Sequence, residues 1–144
     1  MKKIATFFLT LVAVAFTACA NDKPISYEQL PSEVRTFITA EFPALSISHI
    51  TMDPGLVDTS YDVYFANGLK IEFNGKGEWE EMSSKNTTIP VKFIPEPIKS
   101  TVESRWPNVD YRKIEKHRFG YEIELTNRLE LKFDKNFNLK EIDD

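Results

Sequence analysis

Two stretches of this chain repeat one alternation of apolar and polar side chains, and that duplication restricts the fold more than any other feature. In the later stretch Tyr121, Ile123 and Leu125 alternate with Glu122 and Glu124. After Asn127-Arg128, Leu129, Leu131 and Phe133 alternate with Glu130 and Lys132. The earlier stretch, YDVYFANGLKIEFNGKGEWEEM from Tyr61 to Met82, repeats the design. Alternation with a period of two marks strands of a sheet with one dry face and one wet face. Asn67-Gly68 is a two-residue hairpin signal, and Asn74-Gly75-Lys76-Gly77 is a looser one.

Each alternating stretch is preceded by a helical one. In EQLPSEVRTFITAEFP, Leu30, Val34, Phe37, Ile38 and Phe42 fall on one helical stripe. Pro31 is placed for the first helical position, and Pro43 ends the helix because a residue before proline is pushed out of helical geometry. In FIPEPIKSTVESRWP, Ile94, Ile98, Val102 and Trp106 make the same stripe, and Pro107 the same stop. Pro97 lies in the first turn, where its missing N–H does little harm.

The registers agree by subtraction. Pro31 and Pro95, Pro43 and Pro107, and Ile50 and Ile114 are each 64 apart. Tyr61 and Tyr121, Asn67 and Asn127, and Phe73 and Phe133 are each 60 apart. The slip of four falls in DPGLVDTS, a Pro-Gly loop where a duplicated chain tolerates insertion. The expected fold is therefore α+β. It has two tandem units, residues 21–84 and 85–144, each a helix plus a four-stranded antiparallel sheet. Strands are expected near 47–53, 61–65, 69–73 and 79–82 of the first unit. The helices should cover one face and leave the other open. Units this small bury little alone, so the two sheets should join or pack closely.

Residues 1–20 stand apart. Lys2 and Lys3, an apolar run from Ile4 to Phe16 and small residues at Ala18 and Ala20 read as a secretory signal. Ala18-Cys19-Ala20 fits cleavage that releases a soluble protein from Asn21. Phe16-Thr17-Ala18-Cys19 equally resembles a lipobox, with Cys19 as the lipidated first residue, so the only expected membrane contact is that lipid anchor. Both readings place the protein outside the cytoplasm. Cys19 is the only cysteine, which excludes a disulfide framework, a zinc–thiolate cluster or a thiol nucleophile in the folded part. Without Lys2 and Lys3 the 18 basic residues become 16, against 22 acidic. A net charge of −6 argues against nucleic acid as a partner.

The pattern Leu-Pro, helix, Phe-Pro, then Tyr-x-Val/Ile, Asn-Gly and x-Glu-Phe, used twice, resembles the PepSY-like, beta-lactamase-inhibitor-like proteins secreted by Gram-negative bacteria. The resemblance spans Lys23 to Asp144, and GYEIELTNRLELKFD is its closer half. Arg128 stands where glycine is expected after Asn127, which loosens that turn because left-handed geometry is costlier without glycine. The resemblance implies helices on one face of an antiparallel sheet and two units forming a broad, slightly concave surface. It further implies an envelope location, no catalytic machinery and the binding of an envelope or secreted protein, as an inhibitor or sensor does.

The residues themselves offer little chemistry. His49 and His117 are not repeat equivalents and lie in no H-E-x-x-H motif; both read as exposed strand or loop histidines. No G-x-S-x-G elbow, P-loop or dinucleotide fingerprint occurs. Glu80-Glu81 and Asp143-Asp144 are adjacent strand pairs that point to opposite faces. Asp134-Lys-Asn136-Phe-Asn138 begins like a calcium loop, but Leu139 replaces its glycine and no glutamate closes it. It reads as a turn. No cofactor and no metal site are expected. The candidate surface is the wet sheet face, with His49, Asp62, Tyr64, Tyr111, Lys113, Glu122, Glu124 and Lys132 as partner-binding residues, since aromatic groups among charges serve as anchors. The function expected is non-enzymatic binding of another envelope protein. The alternative is a periplasmic sensor of a small ligand, peptide or calcium in the groove between units. Trp79 is ambiguous: it and Met82 cannot both face inward in a regular strand, and a bulge is one way to reconcile them.

Overall fold

The computed structural model describes residues 21–144; the expected signal and Cys19 lie outside them. A first helix, α1 (Ser32–Glu41), is followed by β2 (Ile47–Asp53), β3 (Ser60–Phe65), β4 (Leu69–Phe73) and β5 (Trp79–Ser84). A second helix, α2 (Glu96–Arg105), is followed by β6 (Tyr111–His117), β7 (Gly120–Leu125), β8 (Glu130–Asp134) and β9 (Leu139–Asp143). A two-residue strand, β1 (Lys23–Pro24), precedes them all and pairs with β2.

The strands do not form two four-stranded units. They make one antiparallel sheet in the order β1 to β9, because β5 pairs directly with β6. This corrects the expected fold class. The cause is visible at the seam: Met82 of β5 lies opposite Ile114 of β6, and both are fully buried. Two separate sheets would have left that pair and both strand edges exposed, and an open edge is a template for mispairing. The described residues are thus mostly sheet, with two short α-helices.

Alternation builds the dry face as a row. Ile50, Val63, Ile71, Met82, Ile114, Ile123 and Leu131 lie opposite one another on seven successive strands, all buried. Val34 and Ile38 of α1 and Ile98 and Val102 of α2 are buried in the same core. Each such aliphatic side chain contributes about 1.5–3 kcal/mol through burial. Between them lies an aromatic cluster. Phe37 meets Phe73 edge-on at 5.5 Å, Phe42 packs on Phe65 at 5.6 Å, and Phe93 lies 5.8 Å from Phe42 and 5.9 Å from Trp79.

The helix starts refine the sequence reading. Pro31 is the N-cap of α1 rather than its first residue, and its carbonyl accepts from the Arg35 amide at 3.1 Å. Pro97 does sit in the first turn of α2. Both helices stop two residues before a proline, with Phe42 and Trp106 as C-caps just ahead of Pro43 and Pro107. Trp106 is only partly buried and lies against Arg105.

Register shifts recur at four places. Ser48 is the extra residue between the pairs Ile47–Phe65 and His49–Tyr64, and Arg112 between Tyr111–Leu125 and Lys113–Glu124. Glu80 and Lys140 are the extra residues against β4 and β8. The bulge at Glu80 is what lets Trp79 and Met82 share the core side. The turn at Asp134 is a hairpin turn. The Asp134 carboxylate accepts from the Asn136 and Asn138 amides at 2.9 Å and pairs with Lys140. These bonds, the Asn138 amide first, hold the carboxyl below the usual range.

Candidate functional site

The same alternation that fills the core writes a charged row on the other face. Asp62, Glu72, Glu81, Glu115 and Glu122 lie opposite one another on β3 to β7, and the row continues to Lys132 and Glu141. Among the described residues the buried core, with both helices, lies on the opposite side. Five carboxylates side by side repel one another. The next row offsets part of that repulsion. Lys70 lies 3.1 Å from Asp62 and 3.6 Å from Glu72. Lys113 lies 2.7 Å from Glu115, 3.5 Å from Glu122 and 3.9 Å from Glu81. Five acids against two ammonium groups leave this stretch at −3.

The surplus is felt by the groups themselves. Burial, and then the charge of Asp62, push the Glu72 carboxyl above its ordinary value. Burial pulls on Lys70, but Asp62, with help from Glu81 and Tyr64, outweighs this and raises its ammonium. Lys113 behaves alike, with burial opposed by Glu115, Glu81 and Glu122. One carboxylate oxygen of Asp62 is buried without a partner.

At one end of the face His49 stacks flat on Tyr64, with ring centroids 4.1 Å apart and planes 9° apart. They are cross-strand partners placed there by the bulge at Ser48. The Tyr64 hydroxyl donates to Asp62 at 3.3 Å, and Lys70 lies 5.7 Å from the Tyr64 ring. A pocket of about 410 Å³ opens beside this pair, lined in part by His49, Tyr64, Lys70 and Lys85. At the far end Lys132 lies 3.0 Å from Glu141 and 3.4 Å from Asp143.

Seven of the eight residues expected on this face are there: His49, Asp62, Tyr64, Lys113, Glu122, Glu124 and Lys132. Tyr111 is not. The bulge at Arg112 reverses the alternation, so Tyr111 pairs with Leu125 and turns into the core, only 5% exposed. Its hydroxyl has no partner, and burial raises its pKa to about 12. Arg112 approaches Glu124 instead, at 3.9 Å.

Sequence reasoning missed one grouping. Glu115, His117 and Glu122 converge on the β6–β7 hairpin, with one ligand atom of each within 4.8 Å of the others. The signal was legible in principle, since 115 and 117 share a strand face and a short turn brings residue 122 beside them. An adjoining groove of about 790 Å³, lined by Glu33, Trp79, Lys116, His117 and Arg118 among others, spans both halves of the chain. There the Lys116 ammonium sits 3.6 Å over the Trp79 ring, and burial lowers its pKa.

The fold is thus a one-sided sheet, clad by helices on its dry face and bearing an uncovered charged face. The particular family follows from comparison. The sequence model of the family described as "putative beta-lactamase-inhibitor-like, PepSY-like" matches residues 17–56 and 59–141, and the chain belongs to it. Three solved structures are similar. A "putative periplasmic protein" of Bacteroides vulgatus is 40% identical, with a TM-score of 0.82 over 88% of this chain and 99% of its own. A "putative calcium-regulated periplasmic protein" of Bacteroides thetaiotaomicron is 41% identical, with a TM-score of 0.80 over 85% and 97%. A second Bacteroides vulgatus protein, "of unknown function", is 35% identical, with a TM-score of 0.79 over 85% and 99%. No curated protein matches the chain.

Proposed function

We propose that this is an exported, non-catalytic protein that binds a basic surface of another envelope or secreted protein through the open sheet face. The observation that carries the reading is the row Asp62–Glu72–Glu81–Glu115–Glu122, uncovered by either helix and acidic beyond what Lys70 and Lys113 neutralise. An excess of one sign on a broad face steers a partner of the opposite sign. The stacked His49–Tyr64 pair supplies the aromatic contact that charge alone lacks. Export is supported by the periplasmic description of the relatives, and the inhibitor-like, non-catalytic role by the family description.

The test is affinity capture from an envelope extract with residues 21–144 as bait. A matched bait carries Tyr64→Ala, Glu72→Gln and Glu81→Gln. The reading requires a basic protein enriched on the first bait, lost on the second and released by salt. The same proteins on both baits would overturn it.

A second reading, calcium sensing, is favoured by one observation, the relative described as calcium-regulated. A calcium-dependent rise in melting temperature, reversed by a chelator, would favour it. In this chain the Asp134 turn is an unsuitable seat, because its carboxylate is already spent on its own backbone.

A further inference from the structure

We infer that Glu115, His117 and Glu122 form a site for a divalent transition-metal ion of zinc-like chemistry. This does not rest on the partner-binding reading. The three side chains come from one hairpin: Glu115 and His117 are two apart on β6, and Glu122 lies directly opposite Glu115 on β7. His117 Nε2 is 3.5 Å from Glu115 Oε1 and 3.7 Å from Glu122 Oε2. Those separations are long for hydrogen bonds. They suit donors around a metal instead: ligands at about 2.0–2.1 Å in a tetrahedron lie about 3.3–3.4 Å apart.

Lys113 is the obvious objection, and its geometry answers it. Its ammonium contacts Glu115 Oε2 and Glu122 Oε1, the oxygens turned away from the imidazole. It therefore holds the two carboxylates by their far oxygens and leaves the near ones converging with His117. Outer partners of this kind orient metal ligands in known sites. Charge agrees as well. Glu81, Glu115 and Glu122 against Lys113 leave −2, which one divalent ion would balance.

The ligand set selects the ion. Calcium takes six to eight oxygens, whereas an imidazole nitrogen with two carboxylates suits zinc and its neighbours. Three protein ligands leave a fourth tetrahedral position for water.

Calorimetric titration of residues 21–144, which hold the whole sheet and both helices, with zinc chloride is the test. We expect one equivalent to bind, with calcium unable to displace it. His117→Ala and Glu122→Gln should each weaken binding more than about tenfold, while His49→Ala leaves it unchanged. His117 is 44% exposed, so its variant should keep the fold, checked by circular dichroism, and Glu122→Gln gives a second, near-isosteric reading. No zinc binding, or binding that survives both variants, would overturn the inference.

Discussion

Ile114 of β6 lies directly opposite Met82 of β5, and neither side chain is exposed to solvent. This pair closes the seam between the two halves of the chain. Ile114→Ala should cost about 2–5 kcal/mol, the range for emptying a packed core position. Because the sheet is continuous, urea unfolding should stay a single transition for fluorescence and circular dichroism alike. Two separated transitions would mean that the halves unfold independently.

Arg128 adopts a left-handed backbone (φ 72°) at the place where the first copy has Gly68 (φ 93°). A side chain there costs about 1 kcal/mol relative to glycine. Arg128→Gly should therefore stabilise the protein by about 0.5–1 kcal/mol, read as a higher denaturation midpoint with unchanged slope. The reverse change at Gly68 should destabilise it, since an added Cβ would also meet the Asn86 side chain at 3.0 Å.

Tyr111 buries a hydroxyl that bonds to nothing. Tyr111→Phe should be neutral or stabilising by up to about 1 kcal/mol, since it removes an unsatisfied polar group. The sign of its pH effect follows from the raised pKa of about 12. The unfolded tyrosine loses its proton near pH 10, before the folded one. Its contribution to stability is complete below pH 10 and is lost as pH rises toward 12. Melting curves across pH 9 to 11 should fall more steeply for the wild type than for Tyr111→Phe.

Tyr111 also shows where sequence stops being a guide. Strict alternation places it beside Lys113 on the wet face, but one extra residue, Arg112, moves it to the dry face. Bulges change the face without changing the pattern. The same device at Glu80 was foreseeable as an option, because Trp79 and Met82 cannot both face inward in a regular strand. The strands, the helical stripes and seven residues of the open face were legible because periodicity encodes burial. That the two sheets meet was expected from the small size of each unit, but their fusion into one sheet through β5 and β6 was not, since a strand edge looks the same in sequence whether it meets water or another strand. Strand β1 was missed for a simpler reason: two residues, one of them proline, carry no period. The Glu115–His117–Glu122 grouping needed the turn at Arg118-Phe119 to be tight enough to set Glu122 opposite Glu115.

The central claim is that the open face holds a basic partner by its acidic row. The most direct measurement is calorimetric titration of the purified captured partner into residues 21–144 at 50 and 200 mM salt. The account predicts one site, affinity that falls as salt rises, and a loss of more than about tenfold in the Tyr64→Ala, Glu72→Gln, Glu81→Gln variant. Affinity that ignores both the salt and the variant would contradict it, and would place the partner on the helix side of the sheet.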